Sequence, residues 1–320
     1  NKQGAKIMSE LNKALAVINE VQKAVVGKND VIEKIMAAII AQGHILIEDM
    51  PGVGKTTMAK AFSKAMGIKD SRVQFTPDIM PSDLTGFSIY KKETGQFVYK
   101  PGALMCNMFL ADEINRTSPK TQSALLEVME ERQITVDGIT REMGNPFVVI
   151  ATENPEGSAG TQMLPESQLD RFMICVNMGY PTVEEEMEIL KRRQMGNPLE
   201  YVNNVISAND IILMEQEVKE VYIKDSVYKY IVQVAESTRN HEMLGGGMSP
   251  RGTVALAAMS RAYAWMKGRN FVVPQDVRDV FECIATHRVR LSTKAKVSHI
   301  NKHDVLSEIL RQVPEPAMRR

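Results

Sequence analysis

Four groups of residues in this chain have the types and spacing for chemistry on a phosphate. The first is the stretch Glu48-Asp49-Met50-Pro51-Gly52-Val53-Gly54-Lys55-Thr56-Thr57. It follows the pattern GxxxxGK[ST], except that Asp49 stands where the first glycine belongs. Gly52 and Gly54 let a backbone curl close to an anion, Lys55 can reach β- and γ-phosphates, and the Thr56 hydroxyl can ligate Mg2+. About 57 residues past Lys55, an apolar run ends in Asp112-Glu113. That placement suits Asp112 to holding Mg2+ through water and Glu113 to polarising an attacking water. Asn154 follows a further apolar run and could orient that water, although Asn before Pro is equally a turn element. Arg116, Arg132, Arg171 and Arg251 are candidates for stabilising a transferring phosphoryl group, but position alone does not separate them from surface arginines. Ser249-Pro250 reads as the cap and first residue of a helix, which puts Arg251 near that helix's start. Asp49 lies at the mouth of the loop, ahead of the phosphate-binding atoms, and is expected to matter little.

Such groups need elements that hold them at one place. Five short apolar runs rich in Val, Ile and Phe read as buried strands: HILIE (44–48), RVQF (72–75), NMFLAD (107–112), PFVVIAT (146–152) and RFMICVN (171–177). Helical patterns lie between several of them, including KTTMAKAFSKAMG directly after the phosphate-loop pattern. Alternating strands and helices predict a parallel α/β sheet. Ahead of the first strand, Ile7, Leu11, Leu15, Ile18, Val21 and Val25 form one helical face; a second helix follows the break at Gly27. Two stretches interrupt the rhythm, 87–100 around Glu93-Thr94-Gly95 and 132–142 around Asp137-Gly138. Both read as β-hairpins inserted into the core. After Gly179-Tyr180-Pro181 the patterns turn helical, so the chain is expected to divide into an α/β core over 1–180 and an all-helical region over 181–320. Gly245-Gly246-Gly247 is expected to form a mobile loop within the latter.

Bulk properties narrow the function classes. The chain has 320 residues, 44% hydrophobic and 24% charged, with 39 basic and 39 acidic residues. Zero formal charge gives no electrostatic pointer to nucleic acid. No apolar run is long enough to span a bilayer, and residues 1–30 are mixed polar and helix-like rather than signal-like. Cys106, Cys175 and Cys283 have apolar neighbours and no CxxC spacing, which reads as buried reduced thiols in a cytoplasmic protein. Twenty-one methionines read as core filler.

Together the motifs resemble the MoxR family of AAA+ ATPases. The matching stretches are VVGKNDVI (25–32), GHILIEDMPGVGKT (43–56), RVQFTPDIMPSDLTG (72–86), FVYKPGAL (97–104), MFLADEINRTSPKTQSALLEVMEERQITVDG (108–138), FVVIATENPEGSAGTQMLPESQLDRF (147–172) and MSPRGTVAL (248–256). The QFTPD…PSDLTG and LPE…QLDRF stretches are the specific ones. The resemblance implies an α/β P-loop core with a parallel five-stranded sheet and inserted hairpins, followed by a helical lid. It implies ATP and Mg2+ as ligands and a homo-hexameric ring. Pro51, Gly52, Val53, Gly54, Lys55, Thr56, Thr57 and Asp112 would bind the nucleotide, and Thr56 and Asp112 the metal. Val26 and Gly27 would line the adenine pocket. Glu113 and Asn154 (sensor 1) would set the attacking water. Arg171 would be the arginine finger reaching into a neighbour's site. Arg251 would be sensor 2, in its own subunit or across the interface. Glu153 departs from the family's usual Gln.

The resemblance further implies a chaperone-like remodeller of protein clients or an agent of cofactor or metal insertion, with a von Willebrand A-type partner. Rotation of the lid would couple phosphate loss to the inserts. A nucleic-acid-translocating ring is the alternative from another class. The hairpin tips argue against it, because Glu93 follows Lys91-Lys92 and the second tip is Asp137-Gly138. A nucleotide-gated assembly scaffold with little turnover is the third reading.

Overall fold

Five strands pair, all parallel, into one sheet: β1 (Ile45–Glu48), β2 (Asp70–Gln74), β3 (Met108–Asp112), β4 (Val148–Glu153) and β5 (Ile174–Val176), in the order β2-β3-β4-β1-β5. The computed structural model describes residues 2–50, 52–154 and 163–317. All five expected strands are present. Residues of β3 and β4 are buried throughout, as a parallel strand covered on both faces requires. β2 lies on the edge and alternates exposed with half-buried residues.

The period of two along each strand divides the interior into two cores. Ile45, Ile47, Met108, Leu110, Val148, Ile150 and Ile174 face one side. Leu46, Phe109, Ala111, Val149, Ala151 and Cys175 face the other, against Phe75, Leu125, Leu126, Phe147 and Phe172. The first core continues through Val17 and Val21 of the N-terminal helix Lys2–Ala24 and Ile35 and Ile39 of Asn29–Ile40. It then reaches Met214, Trp265 and Phe281 of the C-terminal helices without a break.

The C-terminal region is mainly helical, as expected, with its longer helices at Val183–Gln194, Ala208–Lys219, Asp225–Asn240, Pro250–Met266, Pro274–Ala285 and Lys302–Gln312. Thr182, Ser207 and Ser249 cap three of them by accepting first-turn N–H groups. The glycine triplet behaves differently from the loop expected of it. Leu244–Gly246 pairs antiparallel with Arg290–Leu291, adding a short ladder to the helical lid. A Cβ at Gly247 would stand 2.6 Å from main-chain atoms of Thr238 and Arg239. Close backbone approach, not looseness, selects glycine there.

Both inserted hairpins form, Gly86–Lys91 with Gln96–Pro101 and Gln133–Val136 with Ile139–Glu142. Asp137 and Gly138 have φ of 53° and 74°, the pair of positive values a two-residue primed turn needs. The Arg141 guanidinium lies 3.8 Å from the Tyr99 ring centroid and joins the two hairpins.

Candidate active site

Parallel register brings the chemistry to one end of the sheet. Glu48 pairs with Glu153, and Gln74 with Asp112, so β1, β2, β3 and β4 finish close together. The phosphate-loop pattern leaves β1 at that end, Asp112-Glu113 leaves β3, and Asn154 leaves β4, the crevice where open α/β sheets take ligands.

In the loop, Gly52 and Gly54 adopt φ of 91° and 96°. Gly54 is the residue before helix Lys55–Met66, so the helix's first N–H groups face the loop. Pro51 lies outside the described residues. Lys55 is buried, and its Nζ donates to the Asp49 carbonyl at 2.7 Å. Burial pulls its ammonium below the usual lysine range, against the attraction of Asp112, Asp49, Glu113 and Glu153. An anion beside Lys55 would favour its charged form.

The two acidic residues are held by neighbours on either side. Thr152 Oγ donates to Asp112 Oδ1 at 2.7 Å and accepts the Glu113 N–H at 2.9 Å. Arg72 Nη2 donates to Asp112 Oδ2 at 2.7 Å and to Gln74 at 3.0 Å. Gln74 Nε2 and Arg116 Nη1 each donate to Glu113 Oε2 at 2.8 Å, and Asn154 Nδ2 donates to Oε1 at 3.1 Å. Burial raises the Glu113 carboxyl, but the bonds from Arg116 and Asn154 outweigh it and hold the group below the usual range. Glu113 is therefore ionised at neutral pH. Glu113 itself has φ of 56°, a left-handed turn that swings its side chain off the strand line. Asn154 is buried, and among the described residues its Oδ1 has no partner. Thr56 makes no hydrogen bond among the described residues through its hydroxyl. Its hydroxyl and the Asp112 carboxylate are hard-oxygen groups of the kind Mg2+ takes, an ion that keeps several of its waters.

Beside the loop a cavity is lined by Val25, Val26, Val53, Met178, Pro181 and Ile189, with Gly52, Gly54 and Thr57 on its phosphate side. Its size and apolar wall suit a base. Gly27 is not part of this wall. It has φ of 73°, and a Cβ there would overlap the Glu185 carboxylate, so its role is close packing against helix Val183–Gln194.

Arg171 and Arg251 are not with these groups. Arg171 precedes β5 and lies at the opposite end of the sheet, where both arginines meet Glu130, Arg171 Nε at 3.3 Å. They share a second cavity with Gln42, His44, Arg132 and Arg288. Asp170 fixes this pair: it accepts from the Ser249 hydroxyl, the cap of Arg251's helix, and from Arg288 Nε, each at 2.7 Å. Of the four candidate arginines, only Arg116 touches the acidic pair.

Sequence reasoning passed over Arg72, Gln74 and Thr152. Alternation along β2 puts Arg72 and Gln74 on one face, and parallel register sets Gln74 opposite Asp112; the pairing of strands, absent from a linear pattern, was the missing signal. Asp49 was also undervalued. Its carboxylate is buried and fully engaged.

Residues 44–174 match the ATPase family associated with various cellular activities (AAA), and residues 236–309 match the AAA lid domain. The chain is 36% identical to Chaperone MoxR1 of Mycobacterium tuberculosis, over 97% of this chain and 84% of that protein. It belongs to the MoxR family of AAA+ ATPases. A further MoxR relative, Protein MoxR of Methylorubrum extorquens, is 30% identical over 92% of each chain. The YeaC protein of Bacillus subtilis is 46% identical over 97% of this chain and 96% of its own. The crystal structure of a Cytophaga hutchinsonii protein superposes with a TM-score of 0.90 at 36% identity, covering 99% of this chain and 98% of that one. As a MoxR-family member the chain hydrolyses ATP, and no helix among its described residues is long and apolar enough to cross a membrane.

Proposed function

We propose that this MoxR-family ATPase works as a homo-hexameric ring that remodels protein clients, with each catalytic site completed by the neighbouring subunit. The observation that carries the reading is the separation of functional groups. Lys55, Asp112, Glu113 and Asn154 converge at the C-terminal end of the sheet, while Arg171 and Arg251 stand together at the other. Arg251, exposed, and Arg171, half-buried, stand at the far end, out of reach of their own phosphate loop and available to another copy's. Both are assigned in trans on this ground.

The chemistry follows from the geometry. Gly52, Val53, Gly54, Lys55, Thr56 and Thr57 hold the phosphates, and Val26 faces the base. Thr56 and Asp112 would hold Mg2+, which would supply charge neutralisation on the bound phosphates. Glu113, ionised, accepts hydrogen bonding from the attacking water. Asn154 bridges Glu113 and the incoming γ-phosphate. Arg171 of the neighbour stabilises the charge that develops on the transferring group.

We divide the chain at about residue 180 into nucleotide core and lid, in keeping with the two matched segments. Client choice is assigned to the hairpin inserts and to a partner bearing a von Willebrand A-type domain. The cytoplasm is the proposed compartment, in keeping with three buried unpaired cysteines. The Mycobacterium relative's name, Chaperone MoxR1, supports the chaperone-like role.

The test is ATP turnover against protein concentration, with and without DNA. Specific activity should rise as rings assemble and should not respond to DNA. A large salt-sensitive stimulation by DNA would instead favour a nucleic-acid motor.

A further inference from the structure

A carboxylate at the mouth of an anion site has the wrong sign for its surroundings. Asp49 nevertheless sits there with 4% of its surface exposed. Its charge is satisfied by main-chain donors: Oδ1 accepts from Met50 N, and Oδ2 from Met178 N and Gly179 N, each at 2.7 Å. Charge-assisted bonds of this length are among the stronger ones a protein makes.

Two of these donors lie on the segment that leaves β5 and leads to the lid. Gly179 turns there with φ of 60°. Lys28 Nζ donates to the Tyr180 carbonyl at 3.2 Å, and Thr182 caps helix Val183–Gln194. Met178, Pro181 and Ile189 from this segment and helix line the base-side cavity. On its other side, Asp49 offers its main-chain carbonyl to Lys55 Nζ. One residue thus touches the phosphate grip through its backbone and the base-side strap through its side chain.

We propose that Asp49 is a positioning residue that clasps strap 178–182 to the phosphate loop and so holds the two ends of the ATP pocket in register. The inference rests on the ATP-site reading above. Asp49 couples two parts of the pocket that a consensus glycine would leave unlinked. Asp49→Gly restores the GxxxxGK[ST] pattern and keeps the carbonyl that Lys55 uses, but releases the Met178 and Gly179 amides. Asp49→Asn keeps one oxygen for those two amides and turns an NH2 group toward Met50 N.

Binding of Mg·ATP and of Mg·tripolyphosphate is measured by calorimetry on wild type, Asp49→Gly and Asp49→Asn, with melting temperature on each. Tripolyphosphate engages the loop alone, whereas ATP also needs the strap. The expected result for Asp49→Gly is an ATP affinity down by about tenfold with tripolyphosphate affinity changed less than twofold, and an intermediate loss for Asp49→Asn. Hydrogen exchange of the peptide spanning 176–182 should quicken in Asp49→Gly. Equal losses for both ligands would make Asp49 a mere support of the loop and overturn the proposal, as would no loss for either. If Asp49→Gly does not fold, Asp49→Asn decides by the same ratio. Wild type failing to bind ATP would overturn the underlying site reading, a result distinct from equal losses in the variants.

Discussion

Arg171 and Arg251 share a single carboxylate, Glu130, although 80 residues of sequence separate them. The sharing places two guanidinium groups side by side. In the proposed ring such a pair would face the oxygens of a phosphate held by the neighbouring subunit.

Two inactive variants should complement each other. Arg171→Ala should lower turnover by roughly 10³ while leaving ATP binding to the isolated subunit intact. Glu113→Gln should be equally inactive. Mixed, the two should regain turnover, because an intact Glu113 site can then face an intact Arg171. Steady-state hydrolysis across mixing ratios checks this, and flat baseline activity at every ratio would place Arg171 in its own subunit's service.

Glu113→Gln should also keep nucleotide longer. Its amide cannot draw a proton from water, yet it can still bond to Asn154 and Gln74. Bound ATP should persist through gel filtration while wild type carries ADP, and a variant with unimpaired hydrolysis would end the water-activating assignment.

Thr152 links both acidic residues with one hydroxyl. Thr152→Val keeps the shape and strands the Glu113 N–H and one Asp112 oxygen. The expected cost is about 1–3 kcal/mol of stability, together with a higher Mg2+ requirement for turnover. Denaturant unfolding and a Mg2+ titration measure the two effects.

Acid should weaken the fold in a defined window. Burial pushes His44 down to about 4 and also holds His287 well below the usual value. In the unfolded chain both titrate near 6.5. Between these values the unfolded state binds protons the native state refuses. Stability is therefore full above pH 6.5 and falls as pH drops toward 4, by about 3 kcal/mol for His44 alone. His44→Gln should be less stable at pH 7 but show a shallower decline; unfolding curves at a series of pH values give both.

Gly247→Ala should lower the melting temperature by several degrees, since its new methyl meets the backbone of helix Asp225–Asn240. An unchanged melting temperature would mean that Gly247 is the flexible joint its sequence neighbours suggest.

The outline of this fold was legible because hydrophobic period and glycine placement carry it. HILIE, NMFLAD and PFVVIAT read as buried strands since they are too short for helices and their continuous apolar character suits a sheet covered on both faces. The hairpin at Asp137-Gly138 was legible from turn chemistry alone. What escaped depends on pairings between distant segments. Arg72 and Gln74 look like ordinary edge-strand polar residues until β2 is set against β3. Asp49 looks like a worn motif position until the end of β5 supplies its partners. Gly245-Gly246-Gly247 reads as loose because composition reports what a backbone can do, whereas here close contact dictates what it must do.

The apolar core that runs from β1 through the N-terminal helices into Trp265 and Phe281 has a mechanical consequence. Close-packed interiors pass strain on rather than absorb it. A subunit whose lid and sheet share one such interior is stiff across its width. In the proposed ring, movement released at the phosphate loop would have few places to dissipate inside the chain and would be delivered at its boundary, where Arg171 and Arg251 stand. The working stroke would then be a change in how whole subunits lean on one another.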